Sequence, residues 1–258
     1  MFADSNNARI AFDESESTGE PVIMVTGFAS SKNYWKPYVK AMSDYHCIFI
    51  DVRGSGSTEY EGSFTIDDLA EDVRAVMDEC GVQSAHLIGW SMGSNVVVSF
   101  AAHYPERVKS ISLLAPFIVC PERSWAYSWK LTEFAVNGYI DSNDMFRMFS
   151  YFCMSENDFI SIRDSGYELP APKRQRDPND LREQLKAIIK GDRIEEASRI
   201  TCPALIIHGT DDVMVPIRFG RQVADTIKDS SFVEVEGAGH TLTAESCVKD
   251  IISFLDSL

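Results

Sequence analysis

The sequence predicts an α/β fold with a mainly parallel sheet, helices on both faces and a helical insertion. Apolar, strand-like runs alternate with helical stretches along most of the chain, which is typical of βαβ units. A glycine-flanked turn at residues 89–93 joins one of these strands directly to a helix. Between residues 117 and 198 the alternation stops, and only helical patterns occur there.

Length and charge restrict the possible partners. The 258 residues are enough to bury the core of one α/β domain. A net charge of −15 argues against nucleic acid and against an anionic membrane as partners, because both require clustered Lys and Arg. Met1–Gly19 is polar and acidic, and no apolar run reaches about 18 residues, so neither a signal peptide nor a membrane span is expected. We therefore expect a cytoplasmic protein with six reduced cysteines.

The elements before residue 117 follow one another with short polar turns between them. Thr65 can cap the second helix, and Asp68 stands at its third position, which is close to a capping box. The predicted order is strand Ala8–Asp13, strand Pro21–Thr26, helix Trp35–Met42, strand His46–Asp51, helix Thr65–Cys80, strand Ser84–Ile88, helix Met92–His103 and strand Val108–Ala115.

Residues 117–198 form the predicted helical insertion, and residues 1–116 and 199–258 form the predicted core. The insertion is rich in aromatic residues, which either pack on one another or line an apolar cavity against the core. Candidates for the cavity wall are Trp90, Phe117, Trp125 and Trp129. After the insertion we predict strand Ala204–His208, helix Arg218–Ile227, strand Phe232–Glu236 and helix Glu245–Leu255.

Ser91 is the candidate nucleophile. It stands in Gly89-Trp90-Ser91-Met92-Gly93, between a predicted strand and a predicted helix. Glycines two residues before and after it allow strand and helix to approach closely while the serine oxygen is exposed. A serine hydroxyl is a weak nucleophile near neutral pH, so it needs a base and an orienting carboxylate.

Two loops in the last third of the chain supply those groups. Asp211 and Asp212 follow one predicted strand, and His240 follows the next. The carboxyl ends of parallel strands meet at one edge of a sheet, so these loops are expected beside Ser91. The order Ser, Asp, His is the order of α/β-hydrolases.

With these motifs, the chain resembles the α/β-hydrolase superfamily over nearly its whole length. Gly-x-x-Asp-x-x-Val-Pro at residues 209–216 looks like the acid loop of that family and indicates Asp212 rather than Asp211. Gly-x-Gly-His at 237–240 looks like its histidine loop, and residues 51–57 resemble its D-x-R-G-x-G-x-S turn. The resemblance implies a mostly parallel sheet of the eight-stranded type, capped by the insertion.

Two backbone N–H groups are expected to form the oxyanion hole. One is the N–H of Met92, directly after the nucleophile. By resemblance the other is the N–H of Phe28, where this chain has Thr26-Gly27-Phe28 in place of the usual His-Gly-aromatic. The exchange of His for Thr leaves main-chain donors in place. Ser94 is a second departure, since many relatives have Gly there, and it either crowds the helix or adds a hydroxyl near the site.

Other polar residues have simpler interpretations. His46, His86, His103 and His208 are interpreted as packing or surface residues, and Glu122 is a remote alternative to Asp212. Lys173, Arg174 and Arg176 form the only tight basic cluster, either a solvated loop or a docking patch for an acidic carrier protein or a carboxylate-bearing substrate. The scattered cysteines lack the spacing of a zinc site.

These residues predict a serine hydrolase that acts through an acyl-enzyme on a small, largely apolar ester, lactone or thioester. No metal or organic cofactor is expected. Other reactions on the same triad stay open, namely C–C bond hydrolysis, acyl transfer, lyase chemistry and perhydrolysis, because the pocket sets the reaction. A small-molecule receptor on a hydrolase scaffold is the alternative outside enzymes.

Overall fold

The structure, a computed structural model, describes residues 1–166 and 177–258. Nine strands form one sheet within these ranges. The strands are β1 (Phe2–Ser5), β2 (Ala8–Glu14), β3 (Pro21–Val25), β4 (His46–Ile50), β5 (Glu59–Tyr60), β6 (Ala85–Trp90), β7 (Val108–Leu114), β8 (Ala204–Gly209) and β9 (Ser230–Val235). Their order is β1-β2-β4-β3-β6-β7-β8-β9, and β5 pairs with β2.

The sheet is parallel from β4 to β9 and antiparallel at its β1–β2 end. The predicted fold class is therefore confirmed. Strands β6 and β8 are buried on both faces, as expected for parallel strands covered by helices on both sides. The loops that follow β3, β6 and β8 consequently meet at one edge of the sheet.

Helices cover both faces of the sheet. They are α1 (Lys36–Ala41), α2 (Ile66–Glu79), α3 (Met92–His103), α4 (Glu122–Val136), α5 (Ser142–Cys153), α6 (Glu156–Ser165), α7 (Pro178–Ile189), α8 (Ile194–Arg199), α9 (Arg218–Thr226) and α10 (Ala244–Leu255). Alternate residues of β3 belong to opposite cores: Ile23 packs with α2 and α3, and Met24 packs with α1 and α10. The Thr65 cap of α2 is confirmed, since its hydroxyl accepts from Asp68 N–H in a capping box.

Five of these helices, α4 to α8, lie between β7 and β8. Apolar residues of the insertion, among them Phe117, Phe149 and Leu181, form a third cluster together with Met214 and Val215 of the core. The insertion is thus packed onto the loop that follows β8. The division of the chain at residues 116 and 199 stays a proposal.

Two strands were missed by the sequence analysis. β1 places only Ala3 in the core, and β5 has two residues, so neither produces a period-two pattern of apolar residues. Both pair with β2 and extend the antiparallel end of the sheet. Within the described ranges, no helix has the length and apolar character needed to cross a membrane.

Candidate active site

Ser91 occupies a strained position between β6 and α3. Its φ is +54° and its ψ −120°, a region that residues with a side chain rarely adopt. A Cβ atom on Gly89 would lie 2.5 Å from Gly93 O, and one on Gly93 would lie 2.2 Å from Val25 O. Both flanking glycines are therefore required for the close approach of β3, β6 and α3.

Three predicted residues meet at this turn. His240 Nε2 lies 2.8 Å from Ser91 Oγ, and His240 Nδ1 lies 2.7 Å from Asp212 Oδ2. The carboxylate can only accept, so Nδ1 carries the proton and Nε2 accepts from the serine hydroxyl. All three side chains are buried: Ser91 is 7% exposed, Asp212 4% and His240 3%. This is the arrangement that general-base activation of a serine needs.

The Asp212 carboxylate is ionised and held in place. Its Oδ1 accepts from Val215 N–H at 2.7 Å, and its Oδ2 receives His240. Burial alone raises the pKa of Asp212, but the charge of His240 and hydrogen bonds from His208 and His240 outweigh burial and lower the pKa to about 2. The carboxylate is thus negative at every pH at which the imidazole could act as a base.

The sequence predicts a packing or surface role for His208, and in the structure this residue packs directly against the acid. It is completely buried, and its Nε2 donates to Val215 O at 2.7 Å while lying 3.3 Å from Asp212 Oδ2. A Cβ atom on Gly220 would stand 2.3 Å from His208 Nδ1. The glycine inside α9 therefore leaves the space that the imidazole occupies, a contact between distant residues that has no signal in the sequence.

Several elements hold the loop that carries His240. Trp90 Nε1 donates to His240 O at 3.0 Å, and the Trp90 ring stacks on Tyr34 with 4.2 Å between centroids. From the insertion, Cys153 O accepts from His240 N–H at 2.9 Å and from Thr241 N–H at 3.2 Å. The end of α5 thus fixes the backbone of the base.

The predicted oxyanion donors both adjoin Ser91. Met92 is the first residue of α3, directly after Ser91. A Cβ atom on Gly27 would lie 3.0 Å from Ser91 Cβ, and the next residue, Phe28, lines the same cavity as Ser91. The hydroxyl of Ser94 does not face this site, because it donates to Gly89 O at 2.9 Å inside the elbow.

A cavity of about 680 Å³ opens onto Ser91 and His240. Three of the predicted wall residues, Trp90, Phe117 and Trp125, line it. Trp129 does not, which corrects that prediction: it stacks on Trp125, with 5.2 Å between ring centroids, away from the lining. Further apolar lining residues are Phe28, Tyr34, Phe146, Phe149, Met154, Leu185, Ile188, Met214 and Val215.

The charge of the cavity wall is distinctive. Among the described residues, no Lys or Arg lines it, and Asp158 supplies the one carboxylate. Asp158 is engaged at the start of α6, where it accepts from Ser155 N–H and Ser155 Oγ. Cys153 also lines the cavity, and burial raises its pKa to about 12, so its thiol is neutral and no rival nucleophile.

The remaining candidates stand apart from this centre. Asp211 and Glu122 are exposed at the surface. His46, His86 and His103 pair with Glu14, Ser110 and the Ser99 carbonyl, respectively. The basic cluster Lys173, Arg174 and Arg176 lies outside the described residues.

In the part of the chain that the structure describes, one group of side chains has the spacing of metal ligands: Asp67, His103 and Glu196. The Arg193 guanidinium contacts both carboxylates, at 2.8 Å and 2.5 Å. A cationic side chain therefore already pairs with both acids of this group.

Comparison with known proteins agrees with this geometry. A family model described as alpha/beta hydrolase fold matches residues 20–147, and one described as TAP-like protein matches residues 187–257. "Putative non-heme bromoperoxidase BpoC" of Mycobacterium tuberculosis (strain ATCC 25618 / H37Rv) is 27% identical over 240 residues, 90% of each chain. The pimeloyl-(acyl-carrier protein) methyl ester esterase of Chromobacterium violaceum is 25% identical over 89% of this chain and 90% of its own. The crystal structure of the enol-lactonase from Burkholderia xenovorans LB400 shares the fold, with a TM-score of 0.84 and 22% identity over 99% of this chain and 100% of that chain.

The elbow glycine Gly93 gives a first prediction. Gly93→Ala should lower the free energy of unfolding by at least about 2 kcal/mol, because the new methyl group meets the backbone oxygens of Val25 and Thr26. Gly191→Ala is the matched control, since a Cβ atom there meets no atom within 4 Å. Urea denaturation of both variants measures the difference, and equal stability of the two would contradict the proposed close packing.

The low pKa of Asp212 gives a second prediction. A folded-state pKa of about 2, against an ordinary value of 3.8, means that unfolding takes up a proton as the pH falls. The stabilising contribution is complete above about pH 5 and declines below pH 4. The stability difference between wild type and Asp212→Asn should narrow by about 1 kcal/mol from pH 5 to pH 3. Asp211→Asn is the exposed control and should show no such narrowing; a constant difference for Asp212→Asn would refute the depressed pKa.

Proposed function

The chain belongs to the α/β-hydrolase superfamily, and on this basis we propose that it is a serine hydrolase cleaving a small, uncharged carboxylic ester. The observation that carries the proposal is the contact of 2.8 Å between Ser91 Oγ and His240 Nε2, with Asp212 behind the imidazole. This arrangement supports transfer of a proton from the serine hydroxyl to the imidazole.

In the acylation step, Ser91 Oγ attacks the ester carbonyl carbon while His240 Nε2 takes the hydroxyl proton. Asp212 stabilises the imidazolium that forms and stays ionised itself, as its low pKa requires. The carbonyl oxygen becomes an oxyanion that the backbone N–H groups of Phe28 and Met92 bind. His240 then gives the proton to the departing alcohol, and the acyl group remains on Ser91.

In the deacylation step, His240 removes a proton from water, and the resulting hydroxide attacks the acyl carbon. The second tetrahedral intermediate collapses, the carboxylic acid leaves, and His240 returns the proton to Ser91 Oγ. No step needs a metal ion or an organic cofactor. The aliphatic and aromatic cavity wall favours an apolar acyl or alkyl portion. Burial of such a group contributes about 25 cal/mol of favourable binding free energy per Å² of apolar surface removed from water.

The names of relatives support an ester or lactone bond as the target. One is named a methyl ester esterase and one an enol-lactonase. A carrier-bound acyl chain, as in the former name, stays an alternative, because the basic cluster of Lys173, Arg174 and Arg176 that would dock an acidic carrier lies outside the described residues.

A second candidate is transfer of the same acyl group to hydrogen peroxide instead of water. The bromoperoxidase name of the Mycobacterium relative favours it. Peroxide would attack the acyl-enzyme, release a peracid and regenerate Ser91. Product analysis with and without added peroxide separates the two acceptors, because the acylation step is common to both.

Covalent labelling tests the nucleophile. A fluorophosphonate probe should modify Ser91, and Ser91→Ala should abolish both labelling and ester hydrolysis. Ser94→Ala is the matched control, because this neighbouring hydroxyl donates to Gly89 O and does not contact His240. It should be labelled at a rate within about threefold of wild type. Absence of labelling in the wild type, together with tight binding of a small ligand, would favour a receptor.

A substrate pair tests the charge of the cavity. The nitrophenyl monoester of succinic acid should react with a kcat/KM at least tenfold below that of its methyl ester, because the free carboxylate would enter a wall without cationic partners. Nitrophenyl butyrate controls for chain length and should resemble the methyl ester. A preference for the free acid would mean that the substrate is anionic and that a basic group outside the described lining binds it.

A further inference from the structure

Gln184 on α7 connects the insertion to the loop that carries Phe28. Its side chain is completely buried. Its Oε1 accepts from Ala29 N–H at 3.1 Å, while its Nε2 donates to Arg53 O at 2.9 Å and to Ser55 Oγ at 3.0 Å. An N–H group can only donate and a carbonyl can only accept, so one orientation of the amide satisfies all three contacts. The side chain therefore ties together the loops after β3 and β4.

The backbone that Gln184 holds is unusual. Ala29, directly after Phe28, has a φ of +54°, which an alanine adopts only when its surroundings impose it. The Ala29 N–H belongs to the peptide plane that follows Phe28. Fixing this plane anchors Phe28 on its C-terminal side and so restricts the directions in which the Phe28 N–H, one peptide plane earlier, can point.

The core side of this contact is rigid. Arg53 makes two hydrogen bonds to the buried Asp72, at 2.8 Å and 2.7 Å. Gly54 has a φ of +77°, and a Cβ atom there would lie 3.2 Å from Asp180 Cβ on α7. The glycine thus allows α7 to approach the loop closely enough for Gln184 to reach both sides.

We propose that Gln184 is a positioning residue for the oxyanion hole, through which the insertion sets the direction of the Phe28 N–H. It touches neither the substrate nor the reacting atoms and acts through Ala29. The inference rests on the proposed function, because it assigns Phe28 N–H to the developing oxyanion. The insertion then contributes to the rate of the reaction and not only to the shape of the cavity.

The test replaces Gln184 by Met, which has a similar length and volume but makes no amide hydrogen bonds. Removal of an oxyanion donor costs about 10²–10³ in kcat, and a misdirected donor costs less. Gln184→Met should therefore lower kcat for a neutral nitrophenyl ester by about 10- to 100-fold, with KM within about threefold of wild type. The affinity for a boronic acid, which forms a tetrahedral adduct on the serine, should fall in parallel, while the affinity for the carboxylic acid product should not.

Tyr60→Phe is the matched control. Tyr60 OH donates to Asp180 Oδ1 at 2.7 Å, one turn before Gln184 on α7, and does not contact Ala29. The variant loses one hydrogen bond between insertion and core and should keep kcat within about twofold. A second substitution tests the backbone mechanism. The double variant Gln184→Met/Ala29→Gly should have a kcat at least threefold higher than that of Gln184→Met, because glycine adopts the positive φ without support.

Three results would overturn the inference. They are an unchanged kcat in folded Gln184→Met, an equal loss in Tyr60→Phe, or no restoration by Ala29→Gly. If Gln184→Met does not fold, Ser55→Ala serves instead, because it removes one of the hydrogen bonds that hold the Gln184 amide. This variant should lower kcat two- to tenfold, and an unchanged kcat would overturn the inference too. Amide hydrogen exchange at Ala29 in wild type and variant measures the Gln184 contact without any turnover. Failure of the proposed function would instead appear as a wild type that neither hydrolyses esters nor reacts with fluorophosphonate.

Discussion

The positive φ of Ser91 is the constraint on which the site depends. A serine adopts this backbone only when its neighbours leave no alternative, and here the neighbours are backbones in direct contact. A side chain on Gly89 would clash with Gly93 O, and a side chain on Gly93 would clash with Val25 O. Because β3, β6 and α3 are this close, the serine oxygen leaves the turn toward His240, and the residues after β3 lie beside it.

The insertion takes part in this constraint as well as in the cavity wall. The carbonyl of Cys153 at the end of α5 accepts from the backbone of His240, and Gln184 of α7 accepts from Ala29. A Cβ atom on Gly239 would lie 2.5 Å from Ser155 N, so the contact between insertion and histidine loop is tight. Separating the insertion from the core would break these bonds and expose buried polar groups.

Structure could be predicted from the sequence where a local pattern of residues has a direct physical reason. The strand–turn–helix around Ser91, the capping box at Thr65 and the loops with Asp212 and His240 all have such patterns. The missed features depend on contacts between distant segments. His208 and Gln184 were not identified because a single buried His or Gln carries no spacing of its own. Trp129 was assigned to the cavity on composition alone. The direction of the α4 axis determines that Trp125 lines the cavity and that Trp129, one turn later, stacks on Trp125 outside the lining.

In the proposed mechanism, catalysis and substrate selection are coupled through α7. On one face, Leu185 and Ile188 line the cavity, so changes there alter the substrate that fits. One residue away, Gln184 holds the backbone beside the oxyanion donor. A change of specificity that shifts or rotates α7 would therefore also move Ala29 and alter transition-state binding. Substitutions that keep the axis of α7, anchored by the contacts of Asp180 and Gln184, can vary the wall without this effect.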